Sequence, residues 1–201
     1  MTRKLNESIE SFSNPNTIGL VSSNERINLL KQYSLTVWLT GLSASGKSTL
    51  AYALERALID TGKTCFVLDG DHVRHGLSRN LGFSLEDRYE NIRRIAEVAK
   101  LMNEAGLIVI VACISPIMAD RSMAKQIIGP EKFREVYVMA PLITCESRDP
   151  KGHYSKARSG ELENFTGISA IYEPPISPHL TLDTLNVPIQ ENLKELLLLF
   201  N

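Results

Sequence analysis

Leu35-Thr-Val-Trp-Leu-Thr-Gly41-Leu42-Ser43-Ala44-Ser45-Gly46-Lys47-Ser48-Thr49 is the stretch that decides the fold. Leu35 to Leu39 is β-branched and apolar and reads as a buried strand. A glycine-bounded loop follows, and from Ser48 to Leu58 the pattern turns helical. The loop matches G-x-x-x-x-G-K-[ST] in full, with Gly41, Gly46, Lys47 and Ser48 in the fixed places. Gly41 and Gly46 permit backbone angles that other residues resist. Successive N–H groups can then point inward and form an anion nest at a helix N-terminus. In that arrangement Lys47 reaches the β- and γ-phosphates of a nucleotide and the Ser48 hydroxyl ligates Mg²⁺. The stretch from Gly41 to Thr49 is therefore expected to bind a nucleoside triphosphate.

Outward from the loop, Thr64 to Leu68 is a second buried strand, and it runs into Asp69-Gly70-Asp71. Carboxylates at the C-terminal end of a strand lie where α/β sheets bind ligands. Asp69 and Asp71 thus have two readings of equal weight. One is metal contact and general-base chemistry on a substrate hydroxyl. The other is a turn with Asp71 as a helix N-cap. Ser84-Leu-Glu-Asp87 reads as a helix start, and Ile92, Ile95, Ala96, Ala99 and Met102 continue it as an apolar stripe. Arg93 and Arg94 have Glu90 and Glu97 at helical spacing and read as ordinary ion pairs. Arg74 and Arg88 lie nearer the strand ends and are candidates for holding an anionic substrate. Asn91 shares a face with Arg88.

Leu107 to Ala112 is apolar without alternation, as in a strand covered on both sides. It lacks the terminal Asp of a Walker B strand and leads into Cys113-Ile114-Ser115-Pro116, with Pro116 expected to begin a helix over 119–128. Ser115 is read as a substrate contact, a nucleophile or a cap. Glu135 to Met139 is a fourth strand and Leu180 to Leu182 a fifth, with a terminal amphipathic helix over 187–200. Between these strands, roughly residues 149–170 carry basic residues and glycines with little periodicity, and read as a lid over phosphates.

The chain has 201 residues, of which 43% are hydrophobic, ample for a sizeable core. Residues 1–24 are polar and read as an N-terminal arm, ahead of one domain over 25–201. A net charge of −1 gives no reason to propose nucleic acid or a membrane as partner. Three cysteines without a C-x-x-C spacing suggest a reducing compartment, with Cys65 and Cys113 in the core. With no signal or transmembrane pattern, the cytoplasm is the expectation.

The order Gly-Leu-Ser-x-Ser-Gly-Lys-Ser, Leu-Asp-Gly-Asp, Arg-His-Gly-Leu, Asn-Ile-Arg-Arg, Ile-Ser-Pro, Arg-Asp-Pro-Lys-Gly and Asn-Phe-Thr-Gly resembles the adenylyl-sulfate kinases over roughly residues 24–201. The resemblance implies transfer of the γ-phosphate of ATP to the 3′-hydroxyl of adenosine 5′-phosphosulfate, giving 3′-phosphoadenylyl sulfate and ADP. It implies an α/β, three-layer P-loop kinase fold, with a mostly parallel sheet flanked by helices, in a homodimer. It leaves open association with an ATP sulfurylase. Matched motif by motif, Gly41 to Ser48 would hold ATP and Mg²⁺. Asp71, Arg74, Phe83, Arg88 and Asn91 would hold adenylyl sulfate, with Phe83 on its adenine. Ile114 and Ser115 would line that pocket, and Lys151, Asn164 and Phe165 would close from the lid. Lys47, Asp71, Asp69 and Ser115 are the expected catalytic group, with Ser48 and Asp69 toward the metal and Asp71 toward the 3′-hydroxyl. Direct in-line transfer is favoured over a phosphoserine at Ser115. His72 stands where the family commonly has Asn, Ala44 where it often has Gly, and Cys113 where it often has Phe.

Another small-metabolite kinase, for nucleoside monophosphates, shikimate or gluconate, is the main alternative. A GTPase-type switch would need Asn-Lys-x-Asp, which does not occur. An inactive descendant is disfavoured by the intact Lys47, Ser48 and Asp71.

Overall fold

The computed structural model describes residues 20–200. The expected arm therefore lies, up to residue 19, outside the described residues. A short helix α1 (Ser23–Leu30) leads in, capped by Ser22, whose Oγ accepts from the Glu25 N–H while Glu25 reaches back to Ser22. There follow β1 (Thr36–Thr40), α2 (Lys47–Asp60), β2 (Cys65–Asp69), α3 (Gly70–His75), α4 (Leu85–Glu104) and β3 (Ile108–Ala112). Then come α5 (Met118–Ile128), β4 (Phe133–Met139), α6 (Leu142–Arg148), α7 (His153–Arg158), β5 (Leu180–Asp183) and α8 (Ile189–Leu197).

The strands form one sheet in the order β2-β3-β1-β4-β5. All four pairings are parallel, so the sheet is wholly parallel where a mostly parallel one was expected. Parallel strands need covered faces, and the side-chain alternation supplies two cores. Val37 and Leu39 of β1 pack with Leu50, Leu54 and Leu58 of α2 and Leu196 of α8. Trp38 points the other way, onto Ile92, Ile95 and Ala99 of α4 and Ala124 and Ile128 of α5. The result is three layers, helices on both sides of the sheet. The apolar stripe of α4 is buried at Ile92, Ile95, Ala96 and Ala99, as its spacing predicts. Among the described residues, no helix is long and apolar enough to cross a membrane.

Three local expectations change. The helix after Ile-Ser-Pro begins at Met118, not at Pro116, because the chain runs extended through Ile117. The cap of α3 is Asp69, whose side chain accepts from the Asp71 N–H, so Asp71 is left free of the cap role. The aperiodic lid segment contains α7. Six residues show no readable period, yet Tyr154 and Ala157 bury one side of it against Cys145 and Phe165.

Candidate active site

Thr40, Asp69, Ala112 and Asp183 end their strands on one edge of the sheet, and the site lies there. At its centre is the loop between β1 and α2. Gly46 takes φ of 100° and caps α2 without a side chain. A Cβ at Gly41 would collide with the Val138 carbonyl of β4 and come within 2.8 Å of Ser45 Oγ. Ala44 also sits at positive φ, 57°, which explains why glycine suits that place. The Lys47 ammonium, 7% exposed, folds back onto its own loop and donates to the Gly41 carbonyl at 3.0 Å and the Leu42 carbonyl at 2.6 Å. Burial lowers its pKa to about 8. Such a lysine gains from anionic oxygens brought into the loop.

Ser48 Oγ donates to Asp69 Oδ2 at 2.6 Å. Where β3 ends in Ala112, the carboxylate beside Ser48 comes from the end of β2. A hydroxyl and a carboxylate oxygen facing the same cavity are donors that suit a hard cation completed by phosphate oxygens and water. Asp71, exposed at the mouth, accepts an ion pair from the Lys151 ammonium of the lid. His72 lies outside the cavity lining, with Nδ1 3.4 Å from the Tyr52 hydroxyl.

The other end of the cavity is built on α4 and the lid. The Arg74 guanidinium lies 4.3 Å from the centroid of the Phe83 ring and that of Arg88 5.6 Å from it. Burial lowers the pKa of both arginines. Arg88 donates to the Asn164 carbonyl at 2.6 Å and to Thr166 Oγ1 at 3.3 Å, fastening the lid to α4. Asn91 is 5% exposed, and its Oδ1 has no hydrogen-bond partner. Phe165 is buried edge-on against Tyr154, ring centroids 4.9 Å apart, and Tyr154 donates to the Ser43 carbonyl at 3.0 Å. Ser115 is held at φ of 38°, with Oγ accepting from Trp38 Nε1 at 3.1 Å. It is not the cap of α5; that position is Ile117.

One cavity of about 810 Å³ unites these parts. Of the residues expected from sequence, Ser43, Ala44, Gly46 to Thr49, Asp69, Asp71, Arg74, Phe83, Arg88, Asn91, Ile114, Ser115, Lys151, Asn164 and Phe165 line it. Gly41, Leu42 and Ser45 lie behind, their backbones shaping the loop. Sequence reasoning missed the wall on the far side of the loop, where Arg148 donates to Thr184 and Thr184 Oγ1 donates to the Ser45 carbonyl at 2.8 Å. Arg148 was legible inside Arg-Asp-Pro-Lys-Gly; Thr184 and Val187 carry no motif. Cys113 is buried in one core, its thiol pushed up to about 12 by burial, while Cys65, expected in the core, is only half-buried against the other, its thiol pushed up to about 11.

A wholly parallel sheet in this order, with a phosphate-binding loop after its central strand, defines a P-loop kinase. The comparisons with known proteins are narrower. A family model described as adenylylsulphate kinase matches residues 33–183. An adenylyl-sulfate kinase of Pseudomonas aeruginosa is 59% identical over 166 residues, covering 83% of this chain and 85% of that protein. The structure of the Mycobacterium tuberculosis APS kinase in complex with AMPPNP and APS superposes with a TM-score of 0.81 at 45% identity, covering 84% of this chain and 98% of that one. A hexameric APS kinase from Thiobacillus denitrificans gives 0.63 at 33% identity, over 88% of this chain and 30% of that one. The chain belongs to the adenylyl-sulfate kinase family.

Proposed function

We propose that this chain transfers the γ-phosphate of ATP to the 3′-hydroxyl of adenosine 5′-phosphosulfate, releasing ADP and 3′-phosphoadenylyl sulfate. The observation that carries the reading is the shape of the cavity. The phosphate-binding loop lies in its middle, with a wall at Arg148, Thr184 and Val187 on one side and a cationic, aromatic pocket on the other. Two nucleotides can meet there at their phosphate and ribose ends. The Arg74–Phe83–Arg88 cluster suits an anionic nucleotide, offering a ring for a base and two guanidiniums for charge. The orphaned Oδ1 of Asn91 is an acceptor awaiting a donor. Shikimate and gluconate have no base to use the ring.

In this reading Gly41 to Thr49 receive the ATP phosphates, and Lys47 exchanges its two loop carbonyls for phosphate oxygens. Mg²⁺, held at Ser48 and Asp69, would neutralise charge on the transferring phosphate. Asp71 takes the proton of the 3′-hydroxyl as its oxygen attacks the γ-phosphorus and the bond to the β-phosphate oxygen breaks. Lys151, released from Asp71, follows the charge to the phosphoryl group. Phe83 and Phe165 bracket the acceptor base, while Ile114, Ser115 and Asn164 close the pocket. The Ser115 hydroxyl faces Trp38, which supports direct transfer without a phosphoserine. A homodimer is the assembly we propose.

The test is ADP release with ATP and Mg²⁺, comparing adenosine 5′-phosphosulfate with AMP, shikimate and gluconate, for the wild type, Lys47→Ala and Asp71→Ala. Turnover on adenylyl sulfate alone, lost in both variants, is expected. Turnover on AMP would move the chain to the nucleotide kinases and overturn the lid assignment.

A further inference from the structure

Behind the acceptor pocket lies a buried arginine that no part of the mechanism uses. Arg121, on α5, is 2% exposed. Its three nitrogens go to three separate places. Nε donates to Glu135 Oε1 on β4 at 2.7 Å, Nη1 to the Ser115 carbonyl at 2.8 Å, and Nη2 to the Glu173 carbonyl at 2.8 Å. Ser115 belongs to the strap after β3 that walls the acceptor pocket. Glu173 lies just beyond the C-terminal end of the lid. The same two segments are joined again where the Glu173 N–H donates to the Pro116 carbonyl at 2.9 Å and the Met118 N–H to Glu173 Oε2 at 2.6 Å.

The strap needs this support. Ser115 holds a positive φ that a side chain disfavours, and such a conformation persists only where its surroundings over-determine it. A buried cation is likewise costly unless fully satisfied. A hydrophobic residue would fill the space at less cost, but it has no fork to bind two carbonyls and a carboxylate at once.

We propose that Arg121 is a positioning residue for the phosphoryl-acceptor pocket, holding the Ile114–Ser115 strap and the root of the lid as one unit. The proposal rests on the reading that this end of the cavity takes the acceptor. Its geometric core does not, because the protein carries its own reporter. Trp38 is the single tryptophan, fully buried, and its indole N–H donates to Ser115 Oγ. Movement of the strap must change that N–H.

The experiment is Arg121→Lys in the full chain. Lysine keeps the charge opposite Glu135 but has one nitrogen where the fork has three. The KM for adenosine 5′-phosphosulfate is expected to rise at least about ten-fold, while the affinity for ATP stays within about two-fold. The ¹H–¹⁵N resonance of the Trp38 indole is expected to shift and its hydrogen exchange to quicken. A role in stability alone would lower the folded fraction and the apparent kcat but leave KM and the indole resonance of the folded protein where they were; that result overturns the proposal. Equal weakening of both substrates also overturns it. Where Arg121→Lys does not fold, Glu135→Gln carries the test. Without its counter-charge the guanidinium is drawn from its place, and KM for the acceptor rises at least about three-fold with ATP unaffected; an unchanged KM refutes positioning. If adenylyl sulfate proves not to be the acceptor, the indole readout still decides whether Arg121 fixes the strap.

Discussion

Lys47 should take up a proton when ATP binds. In the empty site burial holds its pKa near 8, well below an ordinary lysine, outweighing the Asp69 and Asp71 carboxylates that favour the charged form. Phosphate oxygens favour the charged form, so occupancy raises the pKa again. The sign follows: above the lowered value the free protein has lost the proton and the complex has kept it. A group with a pKa of about 8 is neutral in about one-tenth of molecules at pH 7, about half at pH 8 and about nine-tenths at pH 9. Binding should therefore take up those same fractions of a proton, and affinity should fall about ten-fold between pH 7 and pH 9. The assay is calorimetric titration of a non-hydrolysable ATP analogue with Mg²⁺ in paired buffers of different ionisation enthalpy. Lys47→Arg, charged throughout the range, should show no pH-dependent uptake. Uptake below about 0.2 proton at pH 9, or the same uptake in the arginine variant, would refute the reasoning.

Other outcomes are equally specific. Asp71→Asn should cut kcat by about 10² to 10⁴ with ATP affinity retained, read by steady-state kinetics and direct titration; a mild loss would remove Asp71 from the proton-accepting role. Gly41→Ala should destabilise the chain by about 1–3 kcal/mol and abolish nucleotide binding, since its methyl meets the Val138 carbonyl of a rigid strand; a denaturant titration reads the first part. Glu90 is held to a pKa of about 2 by hydrogen bonds from Arg93 and Arg94. Its contribution is present above pH 4.5 and lost as pH falls through 2, and being largely solvated it is worth less than about 1 kcal/mol. Glu90→Gln should thus cost little stability at pH 7, still less as pH falls through 2, and leave both KM values alone.

Much of this was legible in the chain itself. The loop from Gly41 to Thr49, the strand before it and the helix after it follow from spacing and backbone freedom, which are local properties. The stripe of α4 and the ion pairs of Glu90 with Arg93 and Arg94 follow from helical period in the same way. Motif order placed Arg74, Phe83, Arg88 and Asn91 at one pocket, although nothing local joins them to Asn164 and Phe165. Folding alone decided that Asp69 accepts the Ser48 hydroxyl's hydrogen bond, since that depends on β2 lying two strands from β1 and its loop. It also decided that Thr184 walls the cavity beside the loop and that Arg121 ties Ser115 to Glu173. Three of these contacts, Arg148 to Thr184, Arg121 to Glu173 and Thr184 to Ser45, join residues 36, 52 and 139 positions apart, and no periodicity or spacing encodes a distance across layers. A sequence states which groups are present and how each short segment is inclined to fold; which groups meet is settled only when two cores close on the sheet and bring the strand ends to one edge.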